Sequence, residues 1–179
     1  MDHIRLIPPT NHFANDIWRF RQEIIDSTDA DKFAGCSGLE DCTSAEEWIE
    51  SIRVKSNGAT CPEGRVPSNV YIAVRQHDQK IVGIIDLRHH IDHPILGTWG
   101  GHIGYYVRPD ERRKGYGKEM LRQNLLNAKA LGLSKVLVTC HEGNLGSERT
   151  ILANGGVYER SIEVDGTLIK RYWLSTDRK

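Results

Sequence analysis

The stretch Arg112-Arg113-Lys114-Gly115-Tyr116-Gly117 constrains this chain more than any other. A strand-like run from Gly104 to Pro109 leads into it, and a helix-like run from Lys118 to Ala130 follows. Glycine has no Cβ and tolerates dihedrals that other residues avoid, so Gly115 and Gly117 let the backbone turn sharply and approach a ligand. The first N–H groups of a helix have no partner within it, and the helix dipole places partial positive charge there. Together these features favour phosphate or pyrophosphate. Arg112, Arg113 and Lys114 add three cations at the same place, so the junction asks for a ligand with several phosphates.

Spacing excludes two familiar phosphate loops. A P-loop needs G-x-x-x-x-G-K-[ST], which does not occur here. A dinucleotide fingerprint needs G-x-G-x-x-G, and Met120 stands where its third glycine would be. The formal net charge is zero, with 24 basic and 24 acidic residues. A nucleic-acid surface would show a marked basic excess, so no nucleic-acid partner is expected. Steering of an anion must come from a local patch. Arg108, Arg112, Arg113, Lys114 and Lys118 supply one, against Asp110 and Glu111 alone.

A chain of 179 residues with 39% hydrophobic and 27% charged residues fits one globular domain spanning 1–179. No apolar run approaches the ~20 residues that cross a bilayer. The amino terminus lacks the apolar core of a signal peptide, so a cytoplasmic protein without a membrane partner is expected. Cys36, Cys42, Cys61 and Cys140 show no C-x-x-C spacing and read as free thiols. His89-His90-x-x-His93 lacks suitably spaced partners, so no metal is expected.

The periodicity predicts β-α-α-β-β-β-α-β-α-β-β. A strand over 4–7 is followed by a helix from about Phe13 to Ile25, with Ile17, Phe20 and Ile24 on its apolar side. Thr43 or Ser44 caps the next helix, with Glu46 or Glu47 as the capping-box carboxylate. Strands follow at 70–74 and 81–87, around a turn at His77-Asp78-Gln79-Lys80. After the long helix, Gly132 fits its C′ stop. A buried-type strand covers 135–140, and a short helix starts at Asn144 or Ser147. The strands 157–162 and 167–174 form a hairpin around Asp165-Gly166. This is an α/β pattern, one central mixed sheet of about seven strands flanked by about four helices.

These motifs resemble the GNAT family of N-acetyltransferases. Arg112-x-x-Gly115-x-Gly117 matches that family's [Q/R]-x-x-G-x-[G/A] hallmark. Val107-Arg108-Pro109 is similar to its V-x-P strand end. Asn144-x-x-Ser147, with Asn154-Gly155-Gly156, is similar to its N-x-x-A…G-F segment. Gly101-His102-Ile103-Gly104-Tyr105 and Thr139-Cys140-His141-Glu142-Gly143-Asn144 resemble a bacterial subgroup known mostly as predicted acetyltransferases.

The resemblance implies the GNAT fold, in which two strands splay and acetyl-CoA lies in the V between them, here 102–108 and 135–140. It implies acetyl-CoA as co-substrate, held by Tyr105, Tyr106, Val107, Arg112, Arg113, Lys114, Gly115, Tyr116, Gly117, Lys118, Asn144 and Ser147. It implies direct attack on the thioester, in a ternary complex, by a primary amine of a small molecule or protein. Many members carry Glu about five residues before the strand-end Val. His102 stands there and is the candidate general base, since unperturbed histidine titrates near 6.5. His89, His90, Asp86, His141 and Glu142 are alternates. Many members carry a Tyr seven residues after the helix-start Asn. Ile151 stands there, so Tyr158, Cys140, Ser147 or water must protonate the thiolate, or it leaves unprotonated. Trp18, Arg19 and Arg21 are candidate acceptor contacts. The departure at Ile151 motivates an alternative, a non-catalytic acyl-CoA sensor or regulatory module. The acceptor and the oligomeric state, homodimer included, stay open.

Overall fold

The computed structural model describes residues 2–177. Seven strands divide into two hydrogen-bonded sheets. The first holds β1 (Ile4–Ile7), β2 (Ser68–Arg75), β3 (Ile81–Arg88) and β4 (Tyr105–Val107), in that order. The second holds β5 (Lys135–His141), β7 (Thr167–Ser175) and β6 (Val157–Val164), in that spatial order. Neighbouring strands in both are antiparallel.

Four α-helices complete the described fold. α1 (Ala14–Asp26) and α2 (Ala45–Lys55) lie on one face of the first sheet, and α3 (Tyr116–Ala130) lies on the other. α4 (Leu145–Ala153) follows β5 and packs beside α3. The expected caps form. Ser44 Oγ accepts from Glu47 N–H at 3.1 Å, and Glu47 accepts from Thr43 N–H at 2.7 Å. Asn144 caps α4 by accepting from Ser147 N–H at 3.1 Å. In the final hairpin Asp165 and Gly166 take φ of 49° and 77°. That doubly left-handed turn matches the right-handed twist of the strands.

β3 is apolar along almost its whole length because it is covered on both sides. Ile81 and Ile84 meet Ile17, Phe20, Ile24, Trp48 and Ile52 of α1 and α2. Val82, Ile85 and Leu87 meet Met120, Leu121, Leu125 and Ala128 of α3. This core anchors the two elements that frame the site, β4 and the start of α3.

The two sheets meet at His102. Its N–H donates to Leu137 O at 2.8 Å, and its Nδ1 accepts from Leu137 N–H at 2.9 Å. Its own carbonyl accepts from Arg88 N–H at 2.8 Å. The residue is 5% exposed, and burial, with the Arg88 charge nearby, lowers its pKa to about 4. A neutral imidazole is what an N–H acceptor requires. His102 therefore joins β3 to β5 at the point where the sheet divides.

The loop before α3 is tied down from below. Glu111 accepts from Lys80 Nζ at 2.8 Å, Arg75 Nη1 at 2.8 Å and Lys114 Nζ at 2.9 Å. Burial alone would push this carboxyl up, but Lys80, Lys114 and Arg75 hold it at about 2.

Two outcomes follow for stability. His102→Ala strands the buried Leu137 N–H and is expected to cost about 1–3 kcal/mol in urea unfolding. Unfolded histidine takes up a proton near pH 6.5 that folded His102 refuses until about 4. Stability contributed by this site therefore falls as pH drops through that window, and the variant loses that slope. Glu111 contributes above about pH 4.5 and its contribution is lost as pH falls toward 2. Glu111→Gln is expected to lower Tm at neutral pH and to flatten its decline between pH 4.5 and 2, read by circular dichroism.

Candidate functional site

Beyond the His102 joint, β4 and β5 belong to different sheets, and a cleft of about 1090 Å³ opens there. The Gly104 carbonyl and the Arg108 amide bond to β3, at 3.0 and 2.9 Å. Backbone groups alternate sides along a strand. Tyr106 therefore faces β3, opposite Ile84, while Tyr105 and Val107 turn their backbone groups toward the cleft. Of the three strand residues expected to hold acetyl-CoA, these two turn their backbone toward the cleft.

The β4–α3 loop closes one end. Arg113 and Gly115 take φ of 61° and 88°, and Gly115 is the N-cap of α3. No side chain caps this helix, so its first N–H groups are free of side-chain acceptors. A Cβ on Gly117 would come to 3.4 Å from Thr150 Oγ1 and from Val107 Cγ2, ordinary contact distances, so packing there does not require glycine.

All the expected coenzyme-binding residues except Lys114 line the cleft. Lys114 is held by Glu111 instead. The cationic patch is also smaller than the sequence count. Arg108 is 1% exposed and turned the other way, donating to Glu23 at 2.6 and 2.7 Å and to Asp16 at 3.0 Å. Arg112 is bound to Asp29, with Nη1 at 2.8 Å from Oδ1. That guanidinium holds the Asp29 carboxyl far below the usual carboxylate range, and Tyr106 Oη also donates to it. Arg113 and Lys118 line the cleft with no carboxylate partner among the described residues, as does Arg149 of α4.

The segment 29–35 straps the cleft between its two walls. Asp29 grips Arg112 at one end, and Asp31 lies 2.9 Å from His141 Nε2 and accepts from Asn144 Nδ2 at 3.1 Å. A Cβ on Gly35 would sit 2.2 Å from Gly104 O, so only glycine lets the strap reach β4.

The structure does not bring the two candidate catalytic residues into the cleft. His102 is outside its lining and spends its Nδ1 lone pair on Leu137. Tyr158 is 52% exposed on β6, paired with the Ser161 hydroxyl at 3.0 Å and packed edge-on to Tyr172. Ile151 is fully buried in the core. Asp86, an alternate base, is 3% exposed, bonded to Gly104 N–H and paired with Arg88. Trp18 and Arg21 stack on each other at 4.6 Å, and Arg21 braces the Leu39 carbonyl. None of Trp18, Arg19 and Arg21 lines the cleft.

Several lining residues went unnoticed in the sequence, among them Asp29, Asp31, Lys32, Arg149 and Thr150. Helical spacing offered a signal for Arg149 and Thr150, because 146, 149 and 150 share one face of a helix starting at 145. Asp31 sits in an irregular loop and left no signal.

The family profile for the acetyltransferase (GNAT) domain matches residues 3–157. Solved structures share the fold at low identity. A candidate ribosomal-protein-serine acetyltransferase from Vibrio cholerae aligns with TM-score 0.66 at 19% identity, over 98% of this chain and 95% of that one. The microcin C7 self-immunity acetyltransferase MccE, solved with acetyl-CoA and AMP, gives 0.67 at 17%, over 98% and 93%. An N-acetyltransferase from Staphylococcus aureus Mu50 gives 0.65 at 14%, over 98% and 99%. No curated protein sequence matches. With the profile covering most of the length, the chain belongs to the GNAT family of acetyltransferases.

Proposed function

We propose that this chain, one domain over residues 1–179, is a cytoplasmic acetyl-CoA-dependent N-acetyltransferase. Its acceptor is a primary amine of a small molecule or a protein. The observation that carries this reading is the uncapped α3 N-terminus beside Arg113, Lys118 and Arg149, which have no carboxylate partner among the described residues, opening onto a cleft bordered by the backbone of Tyr105 and Val107. The diphosphate of acetyl-CoA fits the α3 amides and these cations, and its pantetheine amides fit the backbone of Tyr105 and Val107. MccE, solved with acetyl-CoA, supports the same ligand class. No helix of the described residues is long and apolar enough to cross a membrane, in keeping with the proposed location.

Transfer in a ternary complex needs chiefly that amine and thioester be held together, and positioning of this kind supplies effective molarities of ~10⁵ M or more. The departing thiolate is a good leaving group, since an ordinary thiol titrates near ~8.5. A dedicated acid is therefore dispensable, and the buried Ile151 is compatible with turnover.

The second reading, an acyl-CoA sensor without turnover, is favoured by Ile151 standing where many members carry Tyr. Calorimetry and a thiol-release assay separate the two. Coenzyme A is expected to bind, with affinity falling as salt rises. Arg113→Ala and Lys118→Ala are each expected to weaken binding about tenfold, a change of ~1.4 kcal/mol. Acetyl-CoA with cadaverine, poly-L-lysine or a peptide bearing a free amino terminus is expected to release thiol. Binding without release across these amines would favour the sensor, and absence of binding by folded protein would overturn both readings.

A further inference from the structure

We infer that His141 is the general base that deprotonates the acceptor amine and that Asp31 is its positioning residue. This rests on the N-acetyl-transfer reading above. His141 closes β5, and it is the one histidine that lines the cleft. Along β5, Val136, Val138 and Cys140 point into the core beneath α3. Alternation turns His141 to the opposite face, toward the 29–35 strap.

The pair is held by a chain of contacts. His141 Nε2 lies 2.9 Å from Asp31 Oδ1. Asp31 Oδ2 accepts from Asn144 Nδ2 at 3.1 Å, and Asn144 Oδ1 in turn caps α4 through Ser147 N–H at 3.1 Å. The base is thus tied to the same helix whose Arg149 and Ser147 line the cleft. The Asp31 carboxylate facing Nε2 favours the imidazole proton on that nitrogen, and Nδ1 has no partner among the described residues. Other charged groups line the same cleft from the neighbouring elements: Lys32 from the strap, Glu142 next along the chain, Arg88 at the end of β3 and Arg149 on α4. Lys170 of β7 pairs with Glu148 and stands opposite Cys140 rather than His141.

The chemistry requires such a group. An alkyl ammonium titrates near ~10.4, so at pH 7 only about one molecule in 2,500 is neutral. In the proposed step, Nδ1 of His141 takes one proton from the bound ammonium. The freed nitrogen attacks the thioester carbon, the C–N bond forms and the C–S bond breaks. The amide nitrogen sheds its second proton. Of the two protons released, one neutralises the thiolate and the other passes to solvent, giving amide, coenzyme A and one proton.

The test has two arms. With acetyl-CoA and cadaverine or poly-L-lysine as probes, His141→Gln is expected to lower kcat by about 10²-fold or more. It should leave coenzyme A affinity within twofold. Asp31→Ala is expected to lower kcat with KM for acetyl-CoA little changed. Retention of kcat within twofold by His141→Gln would overturn the proposal. The second arm needs no turnover. Long-range ¹H–¹⁵N spectra of the wild type with bound coenzyme A are expected to show neutral His141 as the Nε2–H tautomer, with that preference lost in Asp31→Ala. An Nδ1–H tautomer in the wild type would overturn the pair by itself. Wild-type silence toward both amines, with the expected tautomer, would count against the transferase reading while upholding the pair.

Discussion

One pair of hydrogen bonds governs the shape of this molecule. At His102 the backbone and the imidazole both engage a single residue of β5, Leu137. The approach is close enough that a Cβ on Gly101 would stand 2.7 Å from Leu137 O, and Gly101 takes φ of 68°. Past this joint the ladder stops. The gap leaves β4 without a strand partner on its cleft side, where Arg112 reaches the Val107 carbonyl at 3.2 Å and a ligand or water can serve the rest. Everything proposed for the site depends on that divided sheet, because the cleft is the space the missing ladder would have filled.

Charge is distributed with similar economy. A chain of zero net charge draws an anion only if some of its cations stay uncommitted. Arg108 is consumed by Glu23 and Asp16 in anchoring β4 to α1, Lys114 by Glu111, and Arg112 by Asp29. Arg113, Lys118, Arg149 and Lys32 remain at the cleft with no carboxylate partner among the described residues. The committed ones still matter. They fix the walls, and removing one partner of a buried pair leaves an uncompensated charge that is costly. Arg112 also draws the 29–35 strap to the mouth, which carries Asp31 to His141.

Much of the architecture was legible because its causes are local. Asp165-Gly166 announces its own turn, Ser44 with Glu47 its helix start, and Asn144 the cap of α4. Gly115 marks the left-handed turn before α3. These signals act within about four residues, where propensity and hydrogen-bond reach are fixed by the chain itself. The site was half legible for the same reason. The glycine turn and the strand bordering the cleft are readable from local pattern, whereas the placement of His102 and Tyr158 is not. His102 occupied the right place in the pattern for a base, but burial and the Leu137 amide gave it a structural task. Tyr158 carried the right chemistry but faces outward on β6.

The sequence by itself determined the order of elements, the conformation of the junction at residues 112–117 and the class of ligand that such a junction suits, because each depends on neighbours along the chain. The tertiary structure alone decided which cations are free and which histidine faces the cleft. Those outcomes depend on partners far apart in sequence: Asp29 meets Arg112 across 83 residues, and Asp31 meets Asn144 across 113. No local pattern encodes such meetings, since they exist only once two separate cores have set the distance between the walls.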